Sequence, residues 1–183
     1  DLLSIDDKEG RKPIHYAAST GDSSFLEACI DLQNINATNH YNMVPIHDAA
    51  LSGSLESVKL LCSNNASLIE TDVRGFTVLT FAVMSGCLEM VRWLVENTPV
   101  NINHQDKLGK TVVMHLLGSD LGISKEKKES MLQYLIVEKG CDMTLEDNNH
   151  STVKEYVMSL NAKGEELSDN INAQIMGSLN FTV

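Results

Sequence analysis

Six histidines, four cysteines and 25 acidic residues are the side chains of this sequence with the chemistry for metal binding, nucleophilic attack or acid–base work. Two of the histidines, His15 and His47, sit inside near-copies of one stretch, PIHYAASTG at 13–21 and PIHDAALSG at 45–53. A catalytic motif is needed once. A stretch that returns at a fixed distance is an architectural unit, so both histidines are read as structural. His40, His104 and His150 fall at or near turn tips far apart in sequence, and His115 is read as an exposed residue on a helix. No spacing among them brings metal ligands together. Cys29, Cys62, Cys87 and Cys141 form no CxxC pair. Cys29 and Cys62 lie among apolar residues, where cysteine behaves as a small hydrophobe. GxSxG, HExxH, P-loop and GxGxxG patterns are all absent from the sequence. The chain is therefore expected to be no enzyme, to bind no metal and to need no cofactor.

The elements that would position these residues follow a period. Turn-like segments DKEG (7–10), NHYN (39–42), DVRG (72–75), DKLG (106–109) and DNNH (147–150) open at intervals of 32, 33, 34 and 41 residues. Asp7, Asp72, Asp106 and Asp147 recur there as turn formers that bond back to the backbone. After each turn comes a short apolar helical pattern, a break, and a second such pattern. TVLTFAVMSG (77–86), TVVMHLLG (111–118) and the weaker STVKEYVMSL (151–160) continue the first pattern. SLESVKLLC (54–62) and CLEMVRWLV (87–95) are the clearest second helices. Pro13 and Pro45 suit a first helical turn, where the missing N–H costs nothing. Ala17, Ala18, Ala49 and Ala50 allow close approach of neighbouring helices, and Gly21, Gly53 and Gly86 suit a left-handed helix end.

This arrangement resembles the ankyrin repeat, a unit of about 33 residues with a β-turn, two helices and a T-P-L-H-x-A signature. KPIHYAA and VPIHDAA match it apart from the Thr; the third and fourth copies keep Thr77 and Thr111 but lose Pro and His. The resemblance implies an all-α solenoid of helix–turn–helix units joined by β-turn fingers. Repeats are expected at 7–38, 39–71, 72–105 and 106–146, with a degenerate fifth repeat or cap at 147–183. Residues 1–6 resemble the tail of an earlier repeat, and a start at Asp1 reads as an excised piece of something longer. The wide fourth spacing predicts an insertion near 118–130: an extended loop, then a lysine-rich helix start. The resemblance gives Pro13, His15, Pro45, His47, Thr77 and Thr111 structural roles.

Composition bounds the partner. Hydrophobic residues make up 43%, enough for a core, but aromatics only 5%. A formal net charge of −11 argues against nucleic acid and anionic lipid. No apolar run approaches the ~20 residues of a membrane span. Unpaired cysteines suggest reduced thiols in an intracellular protein, cytoplasmic or nuclear. By the family resemblance, turn tips and inner helices form a concave binding face. There the alignment places Arg11, Tyr41, Met43, Leu51, Val73, Arg74, Phe76, Met84, Lys107, Leu108 and Lys110. The apolar members form a candidate patch. The basic ones, with Lys8, suggest a positive rim. The expected function is to bind another protein or peptide, with apolar and acidic groups, as a monomeric module. The alternative is a regulatory arm of a larger enzyme, such as a kinase or palmitoyltransferase, or of a membrane channel.

Overall fold

The computed structural model describes residues 6–32, 34–118, 121–162 and 167–178. The chain divides into two compact units, 1–100 and 101–183.

The first unit holds three helix pairs: α1 (Pro13–Thr20) with α2 (Ser23–Leu32), α3 (Pro45–Ser52) with α4 (Leu55–Ser63), and α5 (Val78–Ser85) with α6 (Leu88–Asn97). Pro13 and Pro45 stand in the first turns of α1 and α3. Thr77 caps α5, its hydroxyl accepting from Thr80 N–H. The inner helices stack α1 on α3 and α3 on α5. Ala17, Ala18, Ala49, Ala50 and Ala82 are fully buried, so small side chains set the approach. Leu26, Val58, Leu61, Met90, Val91 and Leu94 bury the outer layer. Gly53 follows α3 at φ 80° and its N–H returns to the Ala50 carbonyl, an end that a residue with a Cβ reaches only under strain. Asn36 Oδ1 accepts the Ser67 N–H at 2.8 Å, tying one inter-pair loop to the next.

The second unit contains α7 (Val112–Gly118), α8 (Lys125–Leu132), α9 (Val153–Ala162) and α10 (Asp169–Ser178). Thr111 Oγ1 accepts Met114 N–H at the start of α7. α7 packs on α9, and Asn103 Oδ1 accepts Asp142 N–H at 2.9 Å, the same loop-to-loop tie as in the first unit. In the expected insertion, residues 119–120 lie outside the described set, and 121–124 are irregular. The lysine-rich helix begins as expected, with Ser124 Oγ capping α8 through Lys127 N–H. One feature was not foreseen: α8 continues as a π-helix over Gln133–Glu138, and Lys139 N–H donates to the Tyr134 carbonyl five residues back. The wider turn rotates less per residue, which helps keep Tyr134, Leu135 and Ile136 buried together. Among the described residues every regular element is helical.

Candidate partner-binding site

All five turns are closed by one device. The Oδ1 of the opening residue accepts the backbone N–H groups two and four positions later. Asp7 binds Glu9 and Arg11 at 2.8 Å each. Asn39 binds Tyr41 and Met43 at 2.9 and 3.0 Å. Asp72 binds Arg74 and Phe76 at 2.8 and 2.9 Å, and Asp106 binds Leu108 and Lys110 at the same distances. Asp147 binds Asn149 and Ser151 at 2.9 and 3.0 Å. The position between, three after the opener, has positive φ each time: Gly10, Asn42, Gly75, Gly109 and His150. Adjacent turns are joined through backbone: His40 N–H to Glu9 O, Val73 N–H to Tyr41 O and, in the second unit, Asn148 N–H to Leu108 O.

The second carboxylate oxygen does different work in each turn. Asp7 Oδ2 accepts from Arg11 Nε at 2.9 Å and Tyr16 OH at 2.6 Å. Asp72 Oδ2 accepts from Arg74 Nε at 2.8 Å. Asp106 Oδ2 takes His115 Nε2 and Asp147 Oδ2 takes Tyr156 OH, both at 2.8 Å. The Tyr16 hydroxyl, then the Arg11 backbone N–H, hold Asp7 well below the usual carboxylate range. At Asp147 burial pushes upward, but the N–H of Ser151 and the Tyr156 hydroxyl outweigh it and the carboxyl is lowered.

These bonds correct the expected positive rim. Arg11 is paired with Asp7 and Glu9 and lies over the Tyr16 ring at 4.7 Å. Arg74 is paired with Asp72 and covers Phe76 at 4.1 Å. Both guanidinium groups are neutralised within their own turns. Lys110 lies 5.6 Å over Tyr156 in the second unit, and Lys107 is exposed.

The apolar residues divide in two. In the first unit Tyr41, Leu51 and Val73 are 48%, 43% and 40% exposed, and Leu108 in the second is 59% exposed. Met43 and Met84 are half-buried. Phe76 departs from the expectation of an exposed tip: it is 8% exposed, edge-on to Phe81 at 6.0 Å and roofed by Arg74. An aromatic at this position has Phe81 of its own inner helix to pack on, so it joins the core. Sequence reading missed Tyr16, 43% exposed on α1. Its signal was the spacing of nine from a turn opener, shared with His115 and Tyr156. His115 is likewise corrected from exposed to buried, because it closes on Asp106.

The motif histidines bind backbone at both ends. His15 Nδ1 accepts Lys12 N–H and its Nε2 donates to Met43 O at 3.2 Å; His47 does the same between Val44 N–H and Glu70 O. Each thus ties its own helix start to the loop of the following pair. The acceptor role at Nδ1 requires the neutral ring, and burial lowers both pKa values, that of His47 to about 4. Burial also raises the thiols, Cys62 to about 11 and Cys141 to about 12, which keeps them protonated at neutral pH. Among the described residues no group of three or more His, Cys, Asp or Glu side chains converges as a metal site.

The sequence profile described as "Ankyrin repeats (3 copies)" matches residues 2–72 and 66–147. The chain belongs to the ankyrin-repeat family. Its structure superposes on a solved ankyrin repeat protein, EF0377, with a TM-score of 0.79 over 95% of this chain and 85% of the other; at 24% identity this likeness shows the shared all-α ankyrin fold. A Drosophila melanogaster relative, transient receptor potential cation channel subfamily A member 1, is 26% identical over 89% of this ankyrin chain and 15% of its own length. Ankyrin repeat domain-containing protein 37 of Xenopus tropicalis is 33% identical over 48% of this chain and 55% of its own. The chain thus spans only part of these curated relatives. Ankyrin repeats are in general protein-interaction modules, and among the described residues no helix is long and apolar enough to cross a membrane.

Proposed function

We propose that this ankyrin chain is a non-catalytic, intracellular module that holds another protein or peptide against its turns and inner helices. The observation that supports this most is the exposure of Tyr41, Leu51 and Val73 on the second and third turns and α3, positions whose side chains the helix stack does not consume. Large apolar side chains left in water at such positions suit an interface core. With Arg11 and Arg74 neutralised within their own turns, the complement that the first unit offers a partner is mainly apolar.

The test is affinity capture with mass spectrometry, using wild type and a Tyr41→Ala/Leu51→Ala/Val73→Ala variant. A partner retained by wild type and lost by a variant with unchanged circular dichroism supports the reading. Equal capture by both, with loss on Trp93→Ala instead, would move binding to the outer helices. A second reading, the same module as an arm of a membrane channel, draws support from the channel relative that aligns over 89% of this chain. Its test is whether the full coding sequence continues into membrane-spanning segments.

A further inference from the structure

Position nine after each turn opener lies on an inner helix and is occupied by Tyr16, Asp48, Phe81, His115 and Tyr156. In the first, fourth and fifth turns it donates a hydrogen bond to the opener's Oδ2, at 2.6, 2.8 and 2.8 Å. The second turn exchanges the roles. Its opener is the amide Asn39, and the carboxylate is Asp48 on α3. Asp48 Oδ2 is enclosed and has no hydrogen-bond partner among the described residues.

The surrounding charges do not rescue it. Arg11 is shared between Asp7 and Glu9 at 2.9 and 3.3 Å, and Tyr16 OH is given to Asp7. Asp7 and Glu9 face Asp48 with like charge. From α1, His15 is neutral and bound to backbone; α5 carries no titratable side chain; on α4, Glu56 and Lys59 pair with each other at the surface. Burial is the main force on the Asp48 carboxyl and pushes it up to about 7; Arg11 opposes, and Glu9 and Asp7 add to the rise.

We propose that Asp48 makes the joint between the first two helix pairs pH-responsive: its neutral carboxyl is accommodated, and its ionisation loosens α3 from α1 and the first turn. A raised carboxyl binds its proton in the folded chain at pH values where the unfolded chain has already lost it. The contribution is therefore fully present in acid, below the ordinary value of 3.8, and is lost as pH rises through about 7.

The experiment is urea unfolding of the whole chain, wild type against Asp48→Asn, at about pH 5.5 and about pH 8. Buried His15 and His47 titrate with the opposite sign in both proteins, so the ratio of the two unfolding constants isolates Asp48. Wild type should lose ground to the variant by roughly thirtyfold in that ratio between the two pH values. A ratio that stays constant overturns the proposal. If Asp48→Asn does not fold, the side-chain carboxyl carbon of Asp48 in wild type is titrated by NMR. A midpoint near neutrality supports the proposal, and one in the ordinary carboxylate range overturns it.

Discussion

The second and third turns share a backbone and differ in what their side chains do with it. Asn39 and Asp72 each gather the N–H groups two and four residues on, at nearly equal distances. The third turn then closes on itself. Asp72 takes Arg74, Arg74 covers Phe76, and Phe76 meets Phe81. The second turn stays open, with Tyr41 about half exposed and Asp48 left without a donor. The turn scaffold fixes where a side chain starts. Phe76, four after its opener, has the Phe81 ring to pack on and joins the core, whereas Tyr41, two after its opener, stays exposed, as Arg74 does at the matching place in the third turn.

Phe76→Ala should have the largest effect on stability. Removing a buried ring from the closed turn should cost about 3 kcal/mol in denaturant unfolding. A loss near zero would mean that Phe76 belongs with Tyr41 on the open side. Asp72→Ala comes next. It strands two backbone N–H groups and uncouples Arg74, for an expected loss of about 2 kcal/mol in the same measurement. Asn39 lacks the ion pair, so Asn39→Ala should cost less, and equal losses would show that the arginine contributes nothing.

His47 lies between the two turns, bonded to Val44 and Glu70 backbone and 5.1 Å from the Phe81 ring. Its folded pKa is depressed, so the unfolded chain takes up the proton first as pH falls from the ordinary 6.5 towards about 4. Stability should drop by roughly 1 kcal/mol from this group between about pH 7.5 and 5.5. His47→Gln should flatten that acid limb relative to wild type, as read by melting temperature across the pH series. An unaltered limb would assign the loss to other groups. The smallest effect on stability belongs to Tyr41→Ala, under about 0.5 kcal/mol, because the ring is largely solvated already. Its effect on partner affinity should be roughly tenfold or more, measured by titration calorimetry with the captured partner. That split separates the open turn from the closed one.

Much of the architecture was written in the sequence. The recurrence of PIHYAASTG and PIHDAALSG, the evenly spaced openers and the glycines after the inner helices specify helix pairs, because each cue acts within a few residues of itself. The π-helical segment after Leu132 was not legible, since no local residue type demands it; burial of Tyr134, Leu135 and Ile136 goes with it.

The candidate site was only half legible for the same reason. Sequence and register placed Tyr41, Leu51 and Val73 on the turns and inner helix, where each remains exposed. They could not reveal that Arg11 and Arg74 fold back on Asp7 and Asp72, that Phe76 turns inward, or that His115 closes on Asp106. Local sequence determined the helix pairs, their caps and the Asx-closed turns, because those hydrogen bonds span four residues or fewer. Tertiary structure alone decided that His115 closes on Asp106 and that Asp48 is left unpaired, because both depend on a turn opener and an inner-helix residue nine positions on, brought together only once turn and helix pack.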